Sequence, residues 1–206
     1  MKKFKQHFNE ANRSEFNIPA EATEQIGAGS GSEVYSAPGL DKVYKIPTRA
    51  GVNKPINMDR RKNEVNGINE LERIGSITVP TEIMHYGTYK RMKEDNPAKA
   101  KEMLKQEAEK HMHTGEIYYK EWPSSSFAID KVYQIHPTHT KLNPDGVIEQ
   151  DKINGEKIDV LMGEFERVKK ALEEMGFYVD SLGGASNFIK LAPNVLAVID
   201  GIQKLR

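Results

Sequence analysis

The stretch EQIGAGSGSEVYSAPGLDKVYKIP, Glu24 to Pro47, decides how the chain is read. Gly27, Gly29 and Gly31 fall in one turn, and Lys45 follows as a single cation among Val43, Tyr44 and Ile46. β-prone runs flank both the glycines and the segment Ala37 to Asp41, whose Pro38-Gly39 pair marks a second turn. Strand, glycine turn, strand, tight turn, strand is therefore predicted over 22–47. Such a glycine turn lets backbone N–H groups approach anionic oxygens with no Cβ in the way. A lysine on the next strand reaches the same anion from the side. No Gly-Lys-Ser/Thr follows the glycines, so the stretch is not a P-loop. A strand rather than a helix follows, which argues against a dinucleotide-binding turn. A hairpin with a glycine-rich tip and an edge-strand lysine accounts for the same residues without any ligand.

Bulk composition narrows the classes. The 206 residues suffice for one substantial domain or two small lobes. Thirty basic side chains balance thirty acidic ones, which gives no general argument for binding nucleic acid or a membrane surface. There is no cysteine, which removes disulfides, thiolate catalysis and cysteine zinc sites. The basic start, MKKFKQHFNEANRSEF, lacks the apolar run of a signal peptide, and no stretch approaches the roughly 20 apolar residues of a membrane span. The expectation is a cytoplasmic protein, or one delivered into a host cell as an effector.

Outward from the glycine stretch, residues 1–20 read as a polar arm. A helix is predicted from Asn57 to Gly75, with Val65, Ile68, Leu71 and Ile74 as its apolar stripe. Thr81 to Lys90 reads as a strand. A charged helix over about 96–112 has Asn96 as N-cap and Pro97 at its first position, and its thin apolar content predicts a solvated insertion. Strands follow at Glu116–Trp122 and Phe127–Ile135. Residues 137–156, rich in Pro, Asn, Asp and Gly, read as a loop and lobe boundary. The clearest helix runs over about 156–175, with Phe165, Val168, Leu172 and Met175 on one side. Short apolar strands around a turn-rich loop complete the chain. His111 with His113, and His136 with His139, lack the carboxylate or cysteine company of a zinc site.

Four positions extend the chemistry of the opening stretch. Glu64 stands at the start of the stripe after Lys45 and suits an ion pair with it, with Glu70 and Glu72 as competitors. Asp180 follows the long helix, and Asn187 comes seven residues later. Asp200 ends the apolar run NVLAVID and precedes Gly201. Gly-x-Gly-x-x-x-x-Val, from Gly27 to Val34, resembles the nucleotide loop of protein kinases, with Ser32 where their third glycine stands. Lys45 in KVYKI resembles the kinase lysine strand. Asp180 and Asn187 resemble the catalytic aspartate and metal-binding asparagine, with two extra residues between them and Tyr178-Val179 in place of His-Arg. Asp200-Gly201 resembles Asp-Phe-Gly without its phenylalanine.

The resemblance to a minimal, atypical protein kinase-like protein, of bacterial effector or phage and mobile-element type, covers roughly residues 22–202. It implies an α+β, reduced two-lobed kinase-like fold. Residues 21–136 form the N-lobe, an antiparallel sheet with one main helix and the helical insertion; residues 137–206 form a truncated helical C-lobe. The sequence given runs only six residues past Asp200, which leaves no activation segment within it. ATP and magnesium are implied. Ile26, Gly27, Ala28, Gly29, Ser30, Gly31, Ser32, Val34 and Lys45 hold the nucleotide, Lys45 being fixed by Glu64. Asn187 and Asp200 hold the metal, and Asp180 takes or orients the proton of a protein Ser/Thr hydroxyl. The implied activity is protein phosphorylation. The alternatives are a pseudokinase serving as an interaction module, or an AMP transferase. The expected partner is a protein substrate, with no nucleic acid or membrane, and with dimerisation or partner docking through the shortened C-lobe.

Overall fold

The computed structural model describes residues 15–28, 32–47, 56–111, 116–121, 125–158, 163–180 and 184–205. The opening stretch forms β1 (Glu24–Ala28), β2 (Ser32–Ser36) and β3 (Lys42–Pro47), consecutive antiparallel neighbours. The turn before β3 closes with the Leu40 N–H donating to the Ala37 carbonyl. Gly29, Ser30 and Gly31 lie outside the described residues.

Helix α1 (Met58–Ile74) forms where caps and periodicity agree. The Asn57 side chain accepts from the Arg60 N–H, and Gly75, left-handed at φ 80°, donates to the Leu71 carbonyl. Val65, Ile68 and Leu71 are buried along one face, together with Arg61.

After α1 the chain departs from its local signals. The strand expected at 81–90 is instead β4 (Ser76–His85), and α2 (Tyr86–Asp95) begins directly after it. His85 caps that helix by accepting from the Gly87 N–H. Tyr86 meets Phe127 at a tilt and Tyr89 meets it edge-on, so tertiary packing overrides the strand propensity of the tyrosines. Helix α3 (Pro97–Lys110) starts at the Asn96 cap, but it is no lightly resting insertion. Ala100, Leu104 and Ala108 are buried, the latter two clustered with Ile83, Met84 and Ile129.

Strands β5 (Tyr118–Glu121) and β6 (Ser125–Ile135) fall close to their expected places. The loop expected at 137–156 contains β7 (Lys141–Leu142) and β8 (Ile148–Asp151), which extend the first sheet to the order β1-β2-β3-β8-β7. The long helix expected from 156 is shorter: α4 spans Glu164–Glu174. Glu156 and Lys157 instead form β9, paired with β11 (Phe188–Ala192), because sheet pairing consumes backbone groups a longer helix would need. Strands β10 (Phe177–Val179), β12 (Val195–Val198) and β13 (Ile202–Lys204) complete the set.

The chain is thus a mixed α+β protein with four α-helices among the described residues and mainly antiparallel sheets. The second sheet runs β4-β6-β12-β11-β9, with β5 also on β6; β12 beside β6 is its parallel pair. A third, small sheet joins β10 to β13. Pairing crosses residue 136 in both larger sheets: β8 joins β3, and β12 joins β6. Beyond residue 137 the described residues form strands, a 3-10 turn (Gly184–Asn187) and the single α-helix α4. The main core lies among α1, α4, the second sheet and the β10–β13 pair, with Ile68, Leu71, Phe165, Leu172, Phe188, Leu196 and Ile202 within it. A smaller core under the first sheet includes Phe16 and Ala22, so the expected polar arm is packed from Phe16 onward. No helix among the described residues is long and apolar enough to cross a membrane.

Candidate active site

Register across β1–β3 aligns the opening residues. Gly27 pairs with Val34, and Val34 pairs with Lys45, so the last two share one face of the sheet. A Cβ on Gly27 would touch the Val34 side chain at 3.7 Å. Ile26 and Ala28 are exposed, and Ser32 is half-buried.

Lys45 is 3% exposed. Its ammonium donates to the Ile199 carbonyl and lies 3.8 Å from the Glu64 carboxylate. The competing glutamates are engaged elsewhere. Glu70 forks with Arg73, and Glu72 accepts from the Thr138 N–H and hydroxyl.

Glu64 is also hydrogen-bonded to Asp200, which brings the two ends of the chain together. Burial pushes the Glu64 carboxyl up to about 7; Lys45 opposes that rise, while the charge and hydrogen bond of Asp200 add to it. Burial also pushes Asp200 upward, but Lys45, the Glu64 hydrogen bond, the Gly201 N–H and Arg61 together hold it below the ordinary carboxylate range. Of the two carboxyls, Glu64 is therefore the one that takes up a proton as pH falls through about 7, while Asp200 keeps its negative charge.

Asp180 and Asn187 border the same turn. The Asp180 N–H donates to the Gly201 carbonyl at 2.7 Å, and the Ile199 N–H donates to the Asn187 carbonyl at 2.8 Å. Gly201 has φ 68°, and a Cβ there would overlap the Asn187 amide and sit 3.4 Å from the Asp180 Cβ. Only glycine permits this approach. The apolar anchor after the acid-glycine pair is Ile202, fully buried in the main core one residue further on.

Seating α1 against this turn also depends on a missing side chain. A Cβ on Gly67 would lie 2.8 Å from the Ile202 carbonyl and 2.9 Å from Gln203 Cα. Backbone and helix touch there, so Glu64, one turn earlier on α1, reaches Asp200.

Arg61 belongs to the site and was not anticipated from its residue type. Its guanidinium donates to the Ser32 hydroxyl at 2.9 Å and to the Lys45 carbonyl at 2.6 Å. Burial lowers its pKa, while Glu64 and Asp200 support its charge. A sequence signal existed: Arg61 continues the Val65, Ile68 stripe backward by four residues, which places it on the buried face.

The donor set suits a hard cation in part. Asp200 offers a carboxylate and the buried Asn187 an amide oxygen. Magnesium commonly takes one or two such groups and completes its shell with water and phosphate oxygens. Among the described residues, no three His, Cys, Asp or Glu side chains gather as a metal cage.

Comparison with known proteins finds no matching family model, no matching curated relative and no matching solved structure.

Proposed function

We propose that the protein is an ATP-dependent phosphotransferase of protein kinase-like architecture, acting on a Ser/Thr hydroxyl of another protein. The observation that carries this reading is the meeting of Lys45 and Glu64 with Asp200, beside Asp180 and Asn187. The order of these residues and the nature of each element agree with a kinase in which β10 and β13 pair around the catalytic turn. On this reading the first sheet and α1 form an N-terminal lobe, and α4 with β10–β13 forms a reduced C-terminal one.

Phosphoryl transfer needs positioning and charge compensation more than covalent help from the protein. The β1–β2 hairpin covers the phosphates, and Lys45 neutralises charge on them once its ammonium leaves the Ile199 carbonyl. Arg61 steadies the hairpin through Ser32 and holds β3 through the Lys45 carbonyl. Asn187 and Asp200 would hold magnesium, whose positive charge would offset that of the phosphate oxygens. Asp180 orients the hydroxyl and accepts its proton. The hydroxyl oxygen bonds to the γ-phosphorus as the bond to the β–γ bridging oxygen breaks, leaving ADP.

The test is incubation with magnesium and ATP labelled separately at the α and γ positions. Transfer from γ alone, reduced about a hundredfold or more in Asp200→Ala and Asp180→Asn, is the expected result. Transfer of the α label identifies an AMP transferase. Transfer of neither identifies an interaction module and overturns the enzymatic reading.

A further inference from the structure

A second link joins the first sheet to α1, about two turns or roughly 12 Å along the helix from Glu64. Thr138, Thr140 and Gln150 are all buried. Glu72 accepts from the Thr138 N–H at 2.7 Å and from the Thr138 hydroxyl at 2.6 Å. The Thr138 and Thr140 hydroxyl oxygens lie 2.7 Å apart. The Gln150 side-chain amide donates to Thr140 at 2.7 Å and to Thr138 at 3.2 Å. We propose that Glu72, Thr138, Thr140 and Gln150 are positioning residues for the site described above: they fix the height of α1 over the first sheet and so hold Glu64 against Lys45. The role in catalysis rests on the phosphotransferase reading; the mechanical link does not.

The bonds run one way. A hydroxyl carries a single proton. Thr138 gives its proton to Glu72, so Thr140 is the donor between the two threonines, and Gln150 donates to both. Every bond therefore points from β8 toward the Glu72 carboxylate on α1. The backbone supports the same link, because the Asp151 N–H donates to the Thr138 carbonyl at 2.8 Å.

Strand register connects this link to Lys45. Gln150 pairs with Val43, and Ile148 pairs with Lys45, so Gln150 and Lys45 lie on one face of the first sheet. The sheet thus holds α1 near Arg61 and Glu64 through Lys45, and again at Glu72 through the threonines. Apolar side chains of the same shape would cost little or no stability in place of such buried polar groups. What hydrogen bonds add is a demand for donor–acceptor distances within a few tenths of an ångström. Apolar contacts alone would let the helix slide. Lys45 and Glu64 stand 3.8 Å apart, close to the limit of an ion pair, so a small rise of α1 separates them.

The test is a set of double-mutant cycles on the full chain, read as shifts of the urea unfolding midpoint. Thr138→Val should shift the midpoint about twice as far in wild type as in Lys45→Met, where no ion pair depends on the height of α1. In Glu70→Gln, on the same helix but outside the link, the shift should equal that in wild type. Thr140→Val replaces Thr138→Val if the latter does not fold, and Glu64→Gln likewise replaces Lys45→Met. Equal shifts in all three backgrounds, or a shift reduced as much in Glu70→Gln as in Lys45→Met, overturn the proposal. The second readout is transfer of the γ label from ATP. Thr138→Val should lower kcat about tenfold or more, and Thr138→Ser, which keeps the hydroxyl, should restore it to within about twofold. Transfer untouched by Thr138→Val, or lost equally in the serine variant, overturns the positioning role and leaves the phosphotransferase reading standing. A wild type that transfers no label but shows the coupled midpoints removes that reading and upholds the link.

Discussion

Two lysine–glutamate clusters sit in this molecule, one around Glu64 and one around Glu164. At the first, Lys45 and Arg61 face the Glu64–Asp200 pair, and burial makes the two carboxyls share a proton. At the second, Lys131 and Lys190 meet Glu164, which also accepts from the Tyr133 hydroxyl. In both, a glutamate on a helix meets a lysine on a strand. They differ in what meets the glutamate: a second carboxyl at the first, two ammonium groups and a phenol at the second. Buried ion pairs are poor devices for stability, because desolvation offsets most of the attraction.

The sharpest break of this contrast is the parallel change of each glutamate. Glu164→Gln takes the carboxylate from the buried Lys131 and from Lys190 and should lower unfolding free energy by about 3 kcal/mol, measured by urea denaturation. A Glu164→Gln protein as stable as wild type would contradict a stabilising role for that carboxylate.

Gly67→Ala tests whether the clusters are separable. The added Cβ pushes β13 from α1 and should cost about 1–3 kcal/mol, with loss of nucleotide binding at the first cluster. The cost of Glu164→Gln should be the same in the Gly67→Ala background as in wild type.

Glu64→Gln should be milder than Glu164→Gln, because Glu64 is already protonated below neutral pH. At pH 6 the change should be under about 1 kcal/mol. Its pH dependence carries the sign. The folded pKa lies above the unfolded one, at about 7 against 4.5, so the native state binds the proton more tightly. That contribution is complete below about pH 4.5 and is lost as pH rises through about 7. Ligand-free wild type should therefore weaken between pH 5.5 and 8, whereas Glu64→Gln should hold steady over that range. The depressed pKa of Asp200 acts only in more acid solution. Parallel pH curves for the two proteins would refute the shared proton.

The smallest effect belongs to neither cluster. Glu70→Gln breaks the exposed fork with Arg73 and should leave the melting temperature unchanged within error. It separates surface pairing from the buried pairing of Glu64 on the same helix.

Much of the first cluster was legible before folding was considered, because its signals are local. The glycine turn, the lone lysine in an apolar strand and Glu64 at the head of a helical stripe each show in a few neighbouring residues. The second cluster was not. Lys131 alternates within a strand, Glu164 opens a helix and Lys190 lies in a hairpin; no short window contains two of them. The misplaced elements share that cause. Tyr86 and Tyr89 have strand propensity, but their rings contact Phe127, and only the packed sheet supplies Phe127. Glu156 and Lys157 read as helical until β11 is beside them.

By itself the sequence determined the caps of α1 and α3, the turn between β2 and β3, the absence of thiol chemistry and the order of the oxygen- and nitrogen-bearing residues along the chain. These depend on backbone conformation and composition over a few residues. Tertiary structure alone decided that β8 joins β3, that β12 lies parallel to β6, and that Arg61 and the Ile199 carbonyl close on Lys45. Such pairings form between residues far apart in the chain. They are fixed by how whole faces bury apolar surface together, and no local pattern encodes that.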